Sequence, residues 1–390
     1  MEGVVVGRVL IVGAGIAGCA AALALDKAGV EVGLYEAHPD SGADIGAFLT
    51  LASNGMIALG QLGVAQAVAE VGFSLTSMRV TGDTGDEIAT VPLRGHADPL
   101  TQYRCMRRVE LCRVLQAAVM RRGIPIQHGA RLDSVVEDGG DGDDGGVTAR
   151  FDDGRAVEGD LLIGADGLNS TVRSLIDPAV APPRYVGQRV FYGYATDVAP
   201  PSEPGRIDMV RGSASAFGYA VSPEGETSWF ARVSGERLAP GDIAGAALRD
   251  LLVPLLQRDA TAAAGIVEAT GDRLMVTNAH DLPSVPRWHT DRMLIIGDAA
   301  HAASPATGQG ASMALEDAVV LAKALRDNNT TGEALAVYER LRRPRVEANI
   351  AASARLTPGR PQPSSGNARP QPSPDEDEEL RRQLDWDTPL

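Results

Sequence analysis

The sequence predicts an α/β protein: one domain with a parallel sheet, a second, antiparallel-sheet domain inserted into it, and helices closing the chain. Three observations carry this. The first 35 residues read strand, helix, strand; from about Ser174 to Leu282 short strand-like runs alternate with turn residues; Met293 to Ile296 then returns to a short buried strand ahead of a long helix. A length of 390 residues suits two domains of about 100 to 200 residues each.

Val4 to Val12 is a β-rich apolar run, Gly15 to Ala28 has the small-residue pattern of a buried helix ending at Gly29, and Val30 to Tyr35 is a second strand. Val9 to Leu25 carries no charge, but its 17 residues fall short of the roughly 20 a membrane span needs and include Gly13, Gly15 and Gly18. It reads as a strand entering a helix, not as a span or signal peptide. Asn54 to Gly63 and Arg108 to Arg122 read as helices, the second amphipathic through Val109, Leu111, Cys112, Leu115, Ala118 and Val119. Ser134 to Val136, Val147 to Phe151 and Leu161 to Gly164 read as strands, with a glycine-rich acidic loop between the first two.

The middle region holds strand-like runs at Val190 to Thr196, Phe217 to Val221 and Ser228 to Val233, and eight of the chain's sixteen aromatic residues fall between Tyr185 and Phe230. A long helix is expected from about Gly310 to Leu325. The domains therefore divide as 1–173, which also carries some substrate-pocket segments, 174–285 and 286–356, with 357–390 as a Pro-rich acidic tail. Six prolines between Thr357 and Pro374, followed by the acids Asp375 to Glu379, give that tail the composition of a linker. Trp386 near its end offers a second reading, an aromatic anchor packed on the body.

The formal charge of −15 falls to −5 when the ten acids of Glu137 to Gly146 and Asp375 to Glu379 are set aside, so the acidity belongs to two surface segments. It argues against binding a phosphate backbone, and no nucleic-acid partner is expected. Cys19, Cys105 and Cys112 show neither paired nor metal-ligand spacing, which points to unpaired thiols in a reducing, cytoplasmic compartment and to no metal site. No serine stands in a nucleophile-elbow pattern.

Gly13-Ala14-Gly15-Ile16-Ala17-Gly18 follows a strand and opens a helix, with Glu36 ending the next strand. The glycines permit a tight turn and close approach of a pyrophosphate, the helix N terminus offers free N–H groups to it, and Glu36 can accept from ribose hydroxyls. This is a Rossmann-like dinucleotide site, and the pattern alone does not distinguish FAD from NAD.

Two further segments do. Asp160 to Gly167 runs on to Ser170 and Arg173; Gly297-Asp298-Ala299-Ala300-His301 runs on through Pro305, Gly308-Gln309-Gly310 and Glu316-Asp317. With these, residues 8 to 356 resemble the class A flavoprotein monooxygenases, the para-hydroxybenzoate hydroxylase-like family of aromatic and polyketide hydroxylases. The resemblance implies non-covalent FAD held by Gly13, Gly15, Ile16, Ala17, Gly18 and Glu36, with Arg108 facing its phosphates, Leu132 against the adenine, Asp166 in the Asp-Gly motif and Asp298 on the ribityl chain. It places Pro305, Gly308, Gly310 and Ala311 beside the flavin ring and assigns no other residue to catalysis. Ala37 stands where the family often has a basic residue.

The physics agrees: a strand ending in Gly-Asp offers a carboxylate to a polyol, and a helix beginning near Gly310 turns its positive end toward the flavin. The implied reaction consumes NAD(P)H and O2, passes through a flavin C4a-hydroperoxide, and hydroxylates or epoxidises a small hydrophobic substrate, aromatic or polyketide-like. His301 is open to two readings, a catalytic base or a residue that holds the loop. So is the aromatic cluster, which is either sheet core or a substrate roof; the roof reading assigns Tyr192, Tyr194, Phe217 and Tyr219 to the pocket, with Tyr192 and Tyr194 on one face of their strand and Phe191 on the other.

Two other functions compete. A flavin-dependent halogenase would need a Trp-x-Trp motif and a pocket lysine, whereas Trp229, Trp288 and Trp386 are far apart and the two lysines, Lys27 and Lys323, stand late in helices. A non-catalytic flavin-binding auxiliary protein would carry the same motifs. Baeyer–Villiger insertion, the choice between NADH and NADPH, and the oligomeric state stay open.

Overall fold

The computed structural model describes residues 6–40, 47–95, 98–138, 145–239, 246–271, 274–356 and 374–390. Most of the acidic glycine loop after Asp138 and the Pro-rich stretch up to residue 373 lie outside the described residues.

A five-stranded sheet, parallel throughout, runs in the order Met293–Ile295, Leu161–Gly164, Arg8–Val12, Glu31–Tyr35, Ile126–Gln127. Its central strands are apolar because both faces are covered, and Val9 to Ile11 and Leu161 to Ile163 are fully buried. The helix Ile16–Lys27 packs on this sheet through alanines and glycine small enough to let the helices Arg108–Arg121 and Gly310–Asp327 approach it. All of these elements contribute to one core.

The second large sheet has seven strands, ordered Met275–Asp281, Arg184–Ala195, Thr227–Ser234, Ser215–Val221, Arg206–Arg211, Ser77–Gly82, Glu87–Pro92. It is antiparallel except where Arg206–Arg211 runs alongside Ser77–Gly82. Two of its strands, Ser77–Gly82 and Glu87–Pro92, thus come from the first segment of the chain. Helices Ala246–Leu256 and Ala263–Glu268 cover one face. The other face looks toward a small sheet of Phe48–Leu51, Tyr103–Arg107 and Phe73–Leu75, and a separate apolar cluster fills the space between.

The end of the chain is docked. Pro374–Leu384 is a helix, Leu384 is fully buried, and Lys323 Nζ donates to the carbonyls of Gln383 (2.7 Å) and Asp385 (2.6 Å), completing the helix C terminus. Trp386 lies under two cations, Lys27 at 4.4 Å and Arg326 at 5.0 Å from its ring centre. The anchor reading holds for residues 374–390; acids such as Glu379, paired with Arg382, sit in a helix and not in a solvated tail.

Candidate active site

The glycine turn sits at the carboxyl end of the first strand. Gly13 has φ +103°, its N–H donates to Tyr35 O (2.7 Å), and a Cβ there would strike the Ala165 carbonyl. A Cβ on Gly18 would strike Gly13 O. Gly15 differs: a Cβ there meets nothing within 4 Å, so the helix N terminus formed by Ile16 and Ala17 opens onto free space. Glu36 borders that space, accepting from Ala14 N (2.7 Å) and His38 N (2.8 Å). Arg108, the first residue of its helix, is exposed, and its guanidinium has no hydrogen bond or ion pair among the described residues. Leu132 is buried at the start of its strand.

The second motif segment is more telling. From Arg292 to Gly310 every residue is buried or half-buried except Asp298, Pro305 and Gly310. An exposed carboxylate stands on an otherwise buried four-residue helical turn, close to where the helix Gly310–Asp327 begins. Asp166, by contrast, is turned inward: it accepts from Ser170 Oγ (2.5 Å), Thr171 N (2.7 Å) and Val172 N (3.1 Å), capping the helix Thr171–Ile176. Burial pushes its carboxyl above the usual range. Arg173 ties this helix to the second motif, donating to Ala299 O (3.0 Å).

Beneath the exposed loop lies a buried ionic network. Glu316, Asp317 and Arg342 are fully buried. Arg342 Nε donates to Asp317 Oδ1 (2.8 Å), and its Nη1 pairs with Glu316 Oε2 (2.6 Å). Arg345 grips both oxygens of Glu316 (2.7 and 2.8 Å), and Asn54 donates to Glu316 (2.6 Å) and to Gln309 (3.1 Å). The other oxygen of Asp317 takes Gly297 N–H (3.0 Å) and His301 Nε2 (2.6 Å). Burial alone would push the Asp317 carboxyl up, but His301 and Arg342 outweigh it and hold it well below the ordinary range. His301 is 3% exposed and its Nε2 is committed to Asp317, so it holds the loop; a base would need access to a reactant.

The register of the seven-stranded sheet sorts the aromatic cluster. Phe191 pairs with Ala231, which pairs with Phe217; Gly193 pairs with Trp229, which pairs with Tyr219. These residues share the helix-covered face, where Phe217 stacks on Trp229 at 5.5 Å and Tyr219 donates to Pro201 O (2.7 Å). Phe217 and Tyr219 are therefore core, not pocket, which corrects the sequence assignment. Tyr192 and Tyr194 lie half-buried on the opposite face with Phe230, and Tyr194 and Phe230 join the apolar cluster that includes Phe48 and Cys105 of the small sheet. Arg107 of the small sheet covers the Tyr194 ring at 4.3 Å and binds both oxygens of Glu226 (2.6 and 2.8 Å).

Residues 7–353 match the family described as "FAD binding domain". The chain belongs to that family. It is 35% identical to the aurachin C monooxygenase/isomerase of Stigmatella aurantiaca over 358 residues, 89% of this chain and 88% of the relative. It is 30% identical to the 3-amino-4-hydroxybenzoate 2-monooxygenase of Streptomyces cremeus, covering 87% and 84%. Among solved structures, a Klebsiella pneumoniae HpxO variant complexed with FAD superposes with a TM-score of 0.80 at 26% identity, covering 90% of this chain and 89% of that one. The chain is an FAD-dependent monooxygenase.

In this flavin monooxygenase the residues present fit the cofactor. The open space at Gly15 is what a pyrophosphate needs, and Arg108 and Asp298 are exposed charged side chains with no protein partner among the described residues, free to meet a phosphate and a polyol. Sequence reading missed Asn54, Arg107, Glu226, Arg342 and Arg345. Arg342 and Arg345 lie on a helix, Thr331–Arg355, with cations on several sides, so only tertiary pairing with Glu316 and Asp317 sets them apart. Among the described residues no group of acids, histidines and cysteines can hold a metal, and no helix is long and apolar enough to cross a membrane.

Proposed function

We propose that this monooxygenase inserts one oxygen atom of O2 into a small hydrophobic aromatic or heteroaromatic ring, using NAD(P)H, in the cytoplasm. Residues 1–173 and 286–356 hold FAD, and the seven-stranded sheet, built from residues 174–285 together with Ser77–Gly82 and Glu87–Pro92, roofs the substrate. The observation that carries the reading is the exposure of Asp298, Pro305 and Gly310 alone in an otherwise buried segment, within a chain that matches the FAD-binding family over residues 7–353.

FAD, when bound, supplies the transfer of electrons from NAD(P)H to O2 and delivery of the activated oxygen. The protein's part is to bind, orient and keep the site dry. Gly13, Gly15, Ile16, Ala17 and Gly18 present backbone N–H groups to the pyrophosphate, with Arg108 as its counter-charge. Glu36 accepts from ribose, Leu132 packs at the adenine, and Asp298 accepts from the ribityl hydroxyls. Asp166 shapes the Asp-Gly turn from within. Pro305, Gly308, Gly310 and Ala311 bring backbone close to the ring, and the helix starting at Gly310 directs its positive end there. Phe48, Leu75, Leu93 and Cys105 make the space between the sheets apolar, which excludes water and suits a hydrophobic ring.

A halogenase is disfavoured by the lysines: Lys27 donates to Gln61 O (2.7 Å) and Lys323 holds the docked tail, so neither serves a pocket. The test is NAD(P)H oxidation by the FAD-loaded protein against 4(1H)-quinolone, 3-amino-4-hydroxybenzoate and phenol under 18O2. Stimulated oxidation with one 18O in the product is expected. No ring that accelerates oxidation or gains 18O, with FAD bound at one per chain, would leave the auxiliary flavin-binding reading standing instead.

A further inference from the structure

Arg107 and Arg108 are consecutive but face different tasks. Arg108 is exposed at the cofactor side, whereas Arg107 reaches across to the seven-stranded sheet. There Nη2 of Arg107 bonds both carboxylate oxygens of Glu226, at 2.8 and 2.6 Å, and the guanidinium carbon lies over the Tyr194 ring, 4.3 Å from its centre. Both ends of the pair are fixed. The Arg107 N–H donates to Glu110 Oε2 (3.0 Å) at the start of its helix, and Glu226 closes a tight hairpin with Ser222 through the bonds Ser222 N to Glu226 O (2.8 Å) and Glu226 N to Ser222 Oγ (3.3 Å). The two side chains stay about one-third exposed, so the pair sits at the border of the apolar space between the sheets.

Tyr194 is clamped by this pair, and its hydroxyl is buried with no hydrogen-bond partner among the described residues. A buried phenol without an acceptor is costly unless something supplies one. Burial pushes this phenol up to about 12, so it stays a donor at every working pH. The guanidinium over the ring is the Arg107 group already bonded to Glu226, and the Arg107 backbone N–H is held by Glu110. An anionic acceptor entering at Tyr194 has to compete with Glu226 for that arginine. A neutral carbonyl oxygen does not, and it can take the hydroxyl proton without displacing Glu226 from Arg107.

Resting on the monooxygenase reading above, we propose that Arg107 and Glu226 are positioning residues that aim the Tyr194 hydroxyl at a neutral carbonyl oxygen of the substrate ring, and that they select such rings over aromatic carboxylates. The arginine's charge is consumed within the protein, so it orients without recruiting an anion.

The test is binding, read as the change in flavin absorption when FAD-loaded protein is titrated with 4(1H)-quinolone, whose oxygen is a neutral ring carbonyl, or with 3-amino-4-hydroxybenzoate. Wild type should bind the quinolone more tightly. Arg107→Met and Tyr194→Phe should each weaken quinolone binding about tenfold at unchanged FAD content, the double variant should be no worse than either, and Arg107→Lys should recover most of the loss. Glu226→Gln, which uncovers the arginine's charge, should raise affinity for the aminohydroxybenzoate several-fold and lower the selectivity ratio, a shift that a purely structural pair would not produce. The inference is overturned if wild type prefers the carboxylate, or if Tyr194→Phe and Glu226→Gln leave both affinities within twofold; these two variants decide the matter even where Arg107→Met fails to fold. If neither ring binds to wild type and no ring stimulates NAD(P)H oxidation, the monooxygenase reading itself has failed and this inference falls with it. Binding without any variant effect overturns only this inference.

Discussion

Arg342→Met is the sharpest probe of how the cofactor loop is held. Methionine keeps much of the side-chain volume but removes the charge that Glu316 and Asp317 share, all three groups being fully buried. Breaking a buried pair from one side costs about 3 to 5 kcal/mol because it leaves an uncompensated charge. With an unfolding entropy of roughly 2.1 cal/mol/K per residue over about 350 residues, the midpoint should fall by about 4 to 7 °C. The pH dependence gives the signature. Asp317 has a folded-state pKa depressed below its unfolded value, so its stabilisation is complete above the unfolded value, about 3.9, and is lost as pH falls through the folded one. Without Arg342 that depression shrinks and a buried acid can relieve itself by protonating. The gap between wild type and variant should therefore be full at pH 7 and narrow between about pH 5 and about pH 3. Thermal melts by circular dichroism measure the gap, and flavin fluorescence release should shift at least as far, since Asp317 also receives the Gly297 N–H beside Asp298. A gap that is unchanged from pH 7 to pH 3 would refute the charge argument and leave only lost packing.

Asp298→Ala should sharply lower the FAD content of purified protein, because a ribityl hydroxyl loses its acceptor in a confined site; normal flavin content would remove Asp298 from the cofactor site. Arg108→Ala should weaken FAD retention, and the difference from wild type should shrink as salt rises, since screening already weakens the wild-type contact; equal affinity at every ionic strength would make Arg108 structural. Deleting residues 374–390 should uncover the apolar seat of Leu384 and Trp386 and lower the melting midpoint or cause precipitation, whereas a truncated protein with unchanged melting would show that the docked segment adds nothing.

What could be read from the sequence was local. The strand, glycine turn and helix at residues 8 to 27 depend on contacts between near neighbours, and the exposed positions Asp298, Pro305 and Gly310 follow from a contiguous motif. Alternation placed Tyr192 and Tyr194 opposite Phe191 because that too is a property of one strand. It also put Phe217 and Tyr219 on a common face, but which face depends on pairing with Ala231 and Trp229 across a hairpin, and composition does not specify that register. The tail was open to two readings because its acids, Glu376, Glu378 and Glu379 among them, do face solvent, while docking is decided by Leu384 and Trp386 against residues far away in the chain. Asn54, Arg342 and Arg345 were invisible because each is meaningful only against Glu316 and Asp317, up to 262 residues away in the chain.

These long-range contacts explain why the chain must return to its first domain before it ends. The exposed carboxylate of Asp298 can be aimed only if the turn that carries it is rigid, and that turn has no regular sheet or long helix of its own. Its rigidity comes from below, through Gly297 and His301 on Asp317, Asp317 and Glu316 on Arg342, and Glu316 on Asn54, which also fixes Gln309 next to Gly310. The helices that supply this floor lie after the inserted sheet, and the last of the chain is fastened over them by Lys27, Lys323 and Arg326. Cofactor geometry and the closing segment are thus parts of one packed unit, so a substitution in the helix Thr331–Arg355 can disturb flavin binding without touching the flavin site.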